Sequence, residues 1–378
     1  MDVMYLHSEK VSGGCQTKEI AEEGMASPPP GFKHDVIALP PGALPSKEGD
    51  IALDIGGSLA KIAYHCSCRR NGSGLVHELH MVSFDVSDLE PSLQFIRKHV
   101  LGTTNHRGMT IRGTGVGCAK YRRQIQEILD ARLSSDGEEV QHAARGLDFL
   151  WRHLEPAQML HDHRKAPACR HRCSLEDSGI LPCLVVSIGS AAVMVRVDAN
   201  GCAQPFVVGG SSQGGLTFMG LGVLLTKAKS FGELIDMAER GDHKNVDLLL
   251  RDTAGAEYNH MPSDAMVSHF GKAAAPLAHK QGTQIQFKPE DLANSLLLTI
   301  THEIAQTTYL IAKTQNISNV CFCGSFLAGN HAIMSNIRTK LAQCSAFLQW
   351  QVNPMFVQYE SYLGAIGVLV NRASSEMA

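Results

Sequence analysis

A short glycine turn between two apolar segments carries the residues of this chain that are best suited to phosphate chemistry. Residues 51–64 read Ile-Ala-Leu-Asp-Ile-Gly-Gly-Ser-Leu-Ala-Lys-Ile-Ala-Tyr, a pattern typical of strand, tight turn and strand. Glycine lets backbone N–H groups approach an anion closely. Asp54 could hold a magnesium ion or its waters, Ser58 could donate to a phosphate oxygen, and Lys61 could neutralise phosphate charge. Taken alone, the same string also fits an ordinary hairpin.

Glycine turns of this kind recur along the chain. Residues 184–197 repeat the pattern of two apolar strands around a small-residue turn, and glycines follow strand-like segments at 113–117, 209–215 and 324. A repeated hairpin predicts two lobes of similar architecture. We expect the turns to face one cleft between the lobes, which resembles the two-lobed α/β fold of the actin/hexokinase/Hsp70-like ATPases, a duplicated ribonuclease H-like fold. The chain has neither a P-loop run nor the H-R-D and D-F-G set of protein kinases.

The predicted organisation is a tail followed by two lobes. Residues 1–48 contain Pro/Gly stretches without periodicity and are expected to form a disordered tail or a partner-binding segment. Residues 49–180 form an N-terminal lobe with the phosphate-binding hairpin, and residues 181–378 form a C-terminal lobe. Helical spacing at 121–133 predicts a helix in the first lobe, and a long helix is expected to begin at Pro289 in the second.

Composition excludes several classes of protein. The chain has 378 residues, with 34 Lys and Arg against 37 Asp and Glu, and 44% of them are hydrophobic. A net charge of -3 argues against a broad basic surface for nucleic acid, and the low charge content of 19% argues against a disordered chain. The longest uncharged run, residues 199–226, contains seven glycines and is interpreted as buried protein, not as a membrane span. Eleven scattered cysteines and no secretory signal predict a reducing compartment, with a cytoplasmic location as the default.

Further motifs in a fixed order extend the similarity beyond the glycine turns. They include residues 52–58, 114–115, 214–226, 241–247, 268–271, 324–327 and 360–367. On these motifs, the region from about residue 49 to 371 resembles the eukaryotic-type (type II) pantothenate kinases. That family phosphorylates pantothenate at the first step of coenzyme A biosynthesis.

The resemblance implies a kinase that uses ATP and magnesium, with Asp54 reaching magnesium through the nucleotide. Ser190 would lie at pantothenate, and Gly324 near the nucleotide. The resemblance also implies nucleotide-binding and dimerisation elements in the C-terminal lobe, a homodimer or a heterodimer with another family member, and inhibition by an acyl-coenzyme A that fills the ATP and pantothenate space. The residues implied to bind ATP are Asp54, Gly56, Gly57, Ser58, Lys61 and Gly324.

Two substrate-handling positions depart from the family pattern. By the resemblance, the base is a glutamate two residues after the lysine of a T-G-G-G-A-[FY]-K-[FY]-E string, and Arg122 stands in that place. A guanidinium stays protonated and cannot accept the hydroxyl proton. Glu127 is one candidate substitute, but it lies five residues on and is expected on the other side of the helix from Arg122. The substrate arginine of the family falls on Val207. Two functions therefore remain open: an ATP-dependent pantothenate kinase, or a non-catalytic pseudokinase subunit or regulator that binds ATP or acyl-CoA.

Other chemistry-bearing residues lie outside these motifs. The His161–Cys173 cluster holds imidazole and thiol groups that could bind zinc, although its spacing matches no standard finger and a basic, flexible loop is the competing interpretation. Cys321 and Cys323 alternate on an apolar segment, which predicts buried thiols without redox chemistry. His302 and Glu303 are expected either to face the nucleotide or to form a surface pair.

Overall fold

The computed structural model divides into two compact units, and each is described by itself. The first comprises Met1–Met159 and Ser361–Ala378, and the second comprises Leu160–Glu360. The structure describes residues 32–44, 50–57, 59–69, 75–101, 109–136, 138–161, 180–198, 206–253, 261–278, 286–327 and 330–371.

The first unit is built on a six-stranded sheet in the order β1-β4-β3-β2-β5-β6. Its strands are β1 (Lys33–Leu39), β2 (Ile51–Ile55), β3 (Leu59–Arg69), β4 (Leu75–Asp85), β5 (Thr110–Thr114) and β6 (Arg132–Ser135). The pairs of β2 with β3, β3 with β4 and β1 with β4 are antiparallel, whereas β2 with β5 and β5 with β6 are parallel. Every residue of β2 is buried, as expected for a central strand covered on both faces.

Helices cover this sheet. They are α1 (Leu89–Ile96), α2 (Val116–Lys120), α3 (Arg122–Leu129), α4 (Glu139–His153) and the single turn α5 (Pro156–Met159). A π-helical turn, Arg97–Leu101, follows α1. Leu53, Ile62 and Phe84 of the sheet form one core with Leu93 of α1 and Ile125 of α3. The apolar side chains at helical spacing therefore face the apolar side of the hairpin strands.

The second unit contains a five-stranded sheet in the order β13-β12-β7-β8-β9 and a two-stranded ribbon. The sheet strands are β7 (Cys183–Ile188), β8 (Ala192–Val197), β9 (Phe206–Ser211), β12 (Asn319–Cys323) and β13 (Asn353–Phe356), and the ribbon strands are β10 (Leu248–Leu249) and β11 (Met266–Ser268). The pairs of β7 with β8 and β8 with β9 are antiparallel, whereas β7 with β12 and β12 with β13 are parallel.

The described residues of the second unit include five α-helices. They are α6 (Gly215–Thr226), α7 (Phe231–Arg240), α8 (Gly271–Ala278), α9 (Pro289–Thr314) and α10 (His331–Leu348). The long helix begins at Pro289 as predicted, and its Ile300 and Ile304 pack in the core with Phe322 of β12. Across the described stretches, no helix is both long and apolar enough to cross a membrane.

The last helix returns the chain to the first unit. It is α11 (Leu363–Val370), and it crosses α4 at very short distance. A side chain at Gly146 of α4 would collide with the carbonyl of Leu363, and one at Gly367 of α11 would collide with the carbonyl of His142. Glycine at both positions lets the two backbones touch. Residues 361–371 are therefore part of the first unit, although the sequence assigned them to the C-terminal lobe.

The predicted fold class is confirmed by the strand order of both sheets. In each unit, three antiparallel strands in the order third, second, first are followed by two parallel strands on the other side of the first. This is the ribonuclease H-like arrangement, and it occurs twice. Among the described strands of the first sheet, β1 is added to this arrangement and extends the edge next to β4.

Three expectations differ from the structure. The tail expected at 1–48 includes strand β1, which pairs with β4 from Lys33 opposite Ser83 to Leu39 opposite His77. The division between the units falls after Met159, not near residue 180. The helix expected at 121–133 ends at Leu129, because Asp130 takes a left-handed conformation (φ 51°) and the chain then enters β6.

Candidate active site

Asp54 and Lys61 face each other across the first hairpin. The register of β2 and β3 pairs the two residues directly, and Lys61 Nζ lies 3.5 Å from Asp54 Oδ2. Asp54 is only 5% exposed. Its other oxygen, Oδ1, is buried and has no hydrogen-bond partner within the part of the chain that is described. The hairpin therefore presents one paired and one free carboxylate oxygen.

Two backbone segments close around the Asp54 carboxylate. Gly115, at the turn from β5 into α2, has φ +85°, and a Cβ there would meet the Ile55 carbonyl and come within 3.1 Å of Asp54 Oδ1. A Cβ at Gly364 of α11 would meet Asp54 Oδ2. Because neither position carries a side chain, backbone lies against the carboxylate on two sides. The carboxylate is thus held in a narrow space at the carboxyl end of β2.

The electrostatics of Asp54 favour a nearby cation. Burial raises the pKa of the Asp54 carboxyl, whereas the charge and hydrogen bond of Lys61 and the charge of His142 lower it. A buried carboxylate stays ionised only where positive charge compensates for the lost hydration. The unpartnered Oδ1 offers an acceptor to a magnesium ion or to a water bound to it, so the residues present fit the metal that the family implies.

The turn between the two strands is closed by its own backbone. The Gly56 N–H donates to the carbonyl of Leu59 at 3.0 Å. A Cβ at Gly56 would lie 3.8 Å from Lys61 Nζ, whereas a Cβ at Gly57 would meet nothing within 4 Å. The glycine backbone therefore borders the Lys61 ammonium and is open at Gly57, as a phosphate cradle requires. Ser58 lies outside the described residues.

Glu139 is a charged group near this site that the sequence analysis missed. It is the first residue of α4, and its carboxyl retains access to solvent. Desolvation and the charge of Asp54 raise the pKa of Glu139, and the charge of Lys61 lowers it. The glutamate therefore lies within electrostatic range of both hairpin residues. The sequence signal was the acidic pair that opens an amphipathic helix, which is also a common helix start.

The Arg122 side chain is hydrogen-bonded to two groups of strand β6. Its guanidinium donates to the carbonyl of Leu133 and, at 2.6 Å, to Ser135 Oγ, so it fastens α3 to strand β6. Glu127, the substitute considered from the sequence, pairs with Arg123 at 2.7 Å on the exposed face of α3. Both side chains therefore have structural partners. Arg122, which stands where the resemblance places the base, therefore fastens α3 to β6, and its guanidinium offers no proton acceptor.

In the second unit, the turn between β7 and β8 supports the start of α6. The Gly215 N–H donates to the Gly189 carbonyl at 2.8 Å, and the Leu216 N–H donates to the Ser190 carbonyl at 3.3 Å. The Ser190 side chain is exposed. Gly324 has φ +105° and packs against the backbone of Ile188, so a side chain there would be strained. The second hairpin thus has a turn of the same length as the first and uses it to anchor a helix.

Val207 lies on the edge strand β9 and is 66% exposed. It is paired with Val195 of β8. No arginine lies between Arg196 and Arg240 in the sequence, and the Arg196 guanidinium is bound to Asp198 and Gln315. The position at which the resemblance implies a substrate arginine therefore carries an exposed apolar side chain.

A buried carboxylate, Asp247, organises the loop before the ribbon of the second unit. The residue belongs to the Asn245-Val-Asp247 motif and is fully buried. Donors from three segments surround it: His243 Nδ1, His269 Nδ1, the Phe270 N–H and Ser295 Oγ. Asp247 is therefore a structural centre that joins this loop to α9, which the sequence motif alone did not reveal.

The remaining predictions have mixed outcomes. Of the His161–Cys173 cluster, only His161 is described, and its Nε2 lies 3.8 Å from Glu360 Oε2. Cys321 and Cys323 are buried as predicted, and burial raises the pKa of Cys323 to about 12. His302 is half-buried, with its ring against His269, and burial lowers its pKa to about 4, whereas Glu303 is exposed.

The duplicated strand order defines the fold class, that of the actin/hexokinase/Hsp70-like proteins. A family model described as Fumble matches residues 50–371. The chain therefore belongs to the Fumble family, the type II pantothenate kinases, as the sequence motifs predicted.

Curated relatives agree with this family. Pantothenate kinase 1 of Arabidopsis thaliana is 30% identical over 348 residues, which are 86% of each chain. Pantothenate kinase 1 of Oryza sativa subsp. japonica is 29% identical over 376 residues, covering 96% of this chain and 54% of that protein. The 4'-phosphopantetheine phosphatase of Mus musculus is 32% identical over 354 residues, covering 86% of this chain and 41% of that protein. The chain thus spans about half or less of the mouse and rice relatives.

Solved structures resemble the chain only distantly. Glucokinase from Balamuthia mandrillaris in complex with glucose has a TM-score of 0.40 and 12% identity, covering 85% of this chain and 92% of that one. The ethanolamine utilization protein EutJ from Carboxydothermus hydrogenoformans has a TM-score of 0.41 and 11% identity, with 85% and 89% covered. At such scores neither likeness supports a functional assignment.

Proposed function

We propose that this chain is an ATP-dependent kinase that phosphorylates the hydroxyl of pantothenate in coenzyme A biosynthesis. The observation that carries the proposal is the Asp54–Lys61 pair at the end of the first hairpin, where Asp54 Oδ1 is buried with no hydrogen-bond partner among the described residues. The charges of both residues also act on the pKa of Glu139. Phosphoryl transfer requires groups that hold the phosphates and a group that accepts the hydroxyl proton. This set of side chains supplies both.

Lys61 and the glycine turn would hold the nucleotide phosphates. The Lys61 ammonium borders the backbone of Gly56, and a cation beside open N–H groups suits a phosphate oxygen. Magnesium would supply further neutralisation of phosphate charge, with Asp54 Oδ1 as the oxygen that faces it or its water. Asp54 would in addition fix the Lys61 ammonium from the opposite side. Ser58 and Gly324 belong to this proposed ATP site by resemblance.

Glu139 would accept the proton of the acceptor hydroxyl. A carboxyl whose pKa is raised is a stronger base than an ordinary glutamate. The solvent access of its side chain leaves a path for a substrate hydroxyl. Arg122 leaves the chain without a base at the position of the family glutamate. Glu139 on α4 would supply a carboxylate instead, and this carboxylate interacts electrostatically with Asp54 and Lys61.

The support for a pantothenate site is weaker than the support for an ATP site. Pantothenate carries a carboxylate, and Val207 offers it no positive charge. This observation favours a second candidate function, in which the chain binds ATP or acyl-CoA without turnover and acts as a regulator or a pseudokinase subunit. A homodimer or a heterodimer with another family member belongs to either candidate, with Ser190 at the pantothenate side.

The proposed function is tested with the purified protein, ATP, magnesium and pantothenate, by chromatographic detection of phosphopantothenate. We expect turnover, and we expect Glu139→Gln to lower kcat by about 100-fold or more because a glutamine cannot take the proton. Glu127→Gln is the matched control, since Glu127 is an exposed glutamate of the same unit that pairs with Arg123. ATP binding by calorimetry without any phosphopantothenate would reject the kinase and leave the non-catalytic function.

A further inference from the structure

A buried hydrogen bond joins the start of α11 to the sheet of the first unit. The hydroxyl groups of Ser83, in β4, and Tyr362 are hydrogen-bonded at 3.1 Å. The two residues are 7% and 4% exposed, although they lie 279 positions apart in sequence. Tyr362 immediately precedes Leu363, the first residue of α11. A bond between two buried hydroxyls therefore fixes the beginning of this helix on β4.

Ser83 belongs to the same row of side chains as the two hairpin charges. The register of β3 and β4 places Ser83 directly opposite Lys61, and the register of β2 and β3 places Lys61 directly opposite Asp54. Directly opposed residues of antiparallel strands have their side chains on the same face of the sheet. The three side chains therefore form one row across three strands, and the Tyr362 hydroxyl contacts the row at its Ser83 end.

The Asp54 end of the row is in contact with the same turn of α11. A Cβ at Gly364, two residues after Tyr362, would lie 2.5 Å from Asp54 Oδ2. The segment that bonds to Ser83 therefore also presses its backbone against the Asp54 carboxylate. This backbone closes the Oδ2 side, whereas Oδ1 is buried with no hydrogen-bond partner among the residues that the structure describes. The position of α11 thus limits how the carboxylate can rotate.

A packing contact holds the same turn of α11 from α4. The carbonyl of Leu363 lies against Gly146, where any side chain would collide with it. Such a contact depends on distance, whereas a hydrogen bond depends on distance and direction. Gly146 therefore allows the first turn of α11 to come close, and the bond between Ser83 and Tyr362 sets its orientation.

We propose that Ser83 and Tyr362 are positioning residues, which hold the first turn of α11 against Asp54 so that Oδ1 of its carboxylate faces a magnesium ion bound with ATP. The inference rests on the ATP site of the proposed function. Both hydroxyls act through the backbone of Gly364 and make no contact with the nucleotide. Loss of either hydroxyl releases the first turn of α11, and the carboxylate then gains freedom to turn away from the cation.

The test measures ATP binding by calorimetry, once with Mg²⁺ and once with EDTA. Tyr362→Phe and Ser83→Ala each remove one hydroxyl and little else. We expect each to weaken ATP binding with Mg²⁺ by about fivefold to tenfold and to leave binding in EDTA unchanged. The double variant is expected to lose no more than either single variant, because both changes break the same bond. Ser83→Thr keeps a hydroxyl and should retain most of the wild-type affinity.

Tyr309→Phe is the matched control. It also removes a buried tyrosine hydroxyl, one that donates to the Trp350 carbonyl at 3.0 Å in the second unit. We expect it to lower the free energy of unfolding without changing the effect of Mg²⁺ on ATP binding. Three results would overturn the positioning role: equal losses with Mg²⁺ and with EDTA, wild-type affinity in both single variants, or the same Mg²⁺-dependent loss in Tyr309→Phe.

A second readout requires neither turnover nor nucleotide. Hydrogen exchange of peptides covering residues 361–367 is followed by mass spectrometry in the wild type, Tyr362→Phe and Tyr309→Phe. We expect faster exchange of this segment in Tyr362→Phe alone, and unchanged exchange would overturn the role of the bond in holding α11. If the wild-type protein makes no phosphopantothenate or binds no ATP, the proposed function is rejected, whereas faster exchange in Tyr362→Phe still supports the positioning of α11 against Asp54.

Discussion

Lys61 and Asp54 are direct neighbours across the β2–β3 hairpin, and the lysine ammonium lies 3.5 Å from the aspartate carboxylate. The register of the two strands sets this pairing, so the backbone places the two residues opposite each other whichever rotamers their side chains adopt. The Lys61 side chain is 15% exposed, and its charge is therefore screened less than that of a surface lysine. The same ammonium lowers the pKa of Asp54 against the effect of burial.

Replacing Lys61 with methionine is expected to weaken ATP binding by at least about tenfold, because a charge-assisted contact to phosphate is lost. The pKa of Asp54 rises further at the same time, which weakens any cation bound there. Lys61→Arg keeps the charge and is expected to lose less. Calorimetry at fixed salt measures the affinities, with Lys98→Met, at an exposed lysine of the same unit, as the control. Equal affinity of Lys61→Met and the wild type would remove Lys61 from the nucleotide site.

Gly115→Ala is expected to lower the free energy of unfolding by about 2–4 kcal/mol, because the added Cβ meets the Ile55 carbonyl at a φ of +85°. Gly57→Ala is the matched control. Nothing lies within 4 Å of a Cβ at Gly57, so we expect a change of less than about 1 kcal/mol. Urea unfolding followed by circular dichroism measures both. Equal changes in the free energy of unfolding for Gly115→Ala and Gly57→Ala would contradict the close packing of the β5–α2 turn against the hairpin.

The hairpins could be predicted from the sequence because their signals are local. Apolar alternation and the glycine pair determine strand, turn and strand within residues 51–64, and the repeat at 184–197 then predicts a second sheet of the same order. The charges of Asp54 and Lys61 come with the hairpin, since their spacing about the turn makes them cross-strand partners.

The rest of the candidate site depends on contacts between distant segments. The electrostatic interaction of Glu139 with Asp54 and Lys61 depends on the position of α4, which is set by its crossing with α11. That crossing needs Gly146 and Gly367, which lie far apart in sequence. Strand β1 is defined by pairing with β4 and not by its own short pattern. Such placements follow from tertiary packing, which a local pattern does not contain.

Arg122→Gln is expected to destabilise the first unit by about 1–2 kcal/mol and to leave kcat per folded molecule near that of the wild type. The guanidinium satisfies the Leu133 carbonyl and Ser135 Oγ, and those contacts are structural. Arg123→Gln is the adjacent control, since its side chain is 91% exposed and its pair with Glu127 contributes little. Thermal unfolding and turnover are measured together. A gain in turnover with Arg122→Glu would restore the view that this position holds the base.

Val207→Arg is expected to lower the KM for pantothenate by about tenfold while leaving the KM for ATP unchanged, because a guanidinium pairs well with a carboxylate. The exposed edge position accepts a long side chain without overpacking. Val193→Arg, at an exposed valine of the neighbouring strand β8, controls for added positive charge. Steady-state kinetics with each substrate varied separately provide the measurement. An equal fall in KM for both variants would indicate general electrostatic attraction and not a specific contact.

Asp247→Asn is expected to destabilise the second unit by about 2–4 kcal/mol at neutral pH. The surrounding donors then face a neutral amide and not a buried carboxylate, so their hydrogen bonds are weaker. Burial raises the pKa of Asp247, but hydrogen bonds from His243, His269 and the other donors outweigh it and hold the pKa well below its usual range. A lowered folded pKa means that the stabilisation is complete above the pKa of an unfolded aspartate, about 3.9, and is lost as the pH falls below it.

The difference in stability between the wild type and Asp247→Asn should therefore be constant near neutral pH and shrink in acid, as measured by urea unfolding at several pH values. Asp236→Asn, on the exposed face of α7, should show no such convergence. A difference that stays constant down to the acid transition would mean that Asp247 stabilises the loop by shape and not by charge.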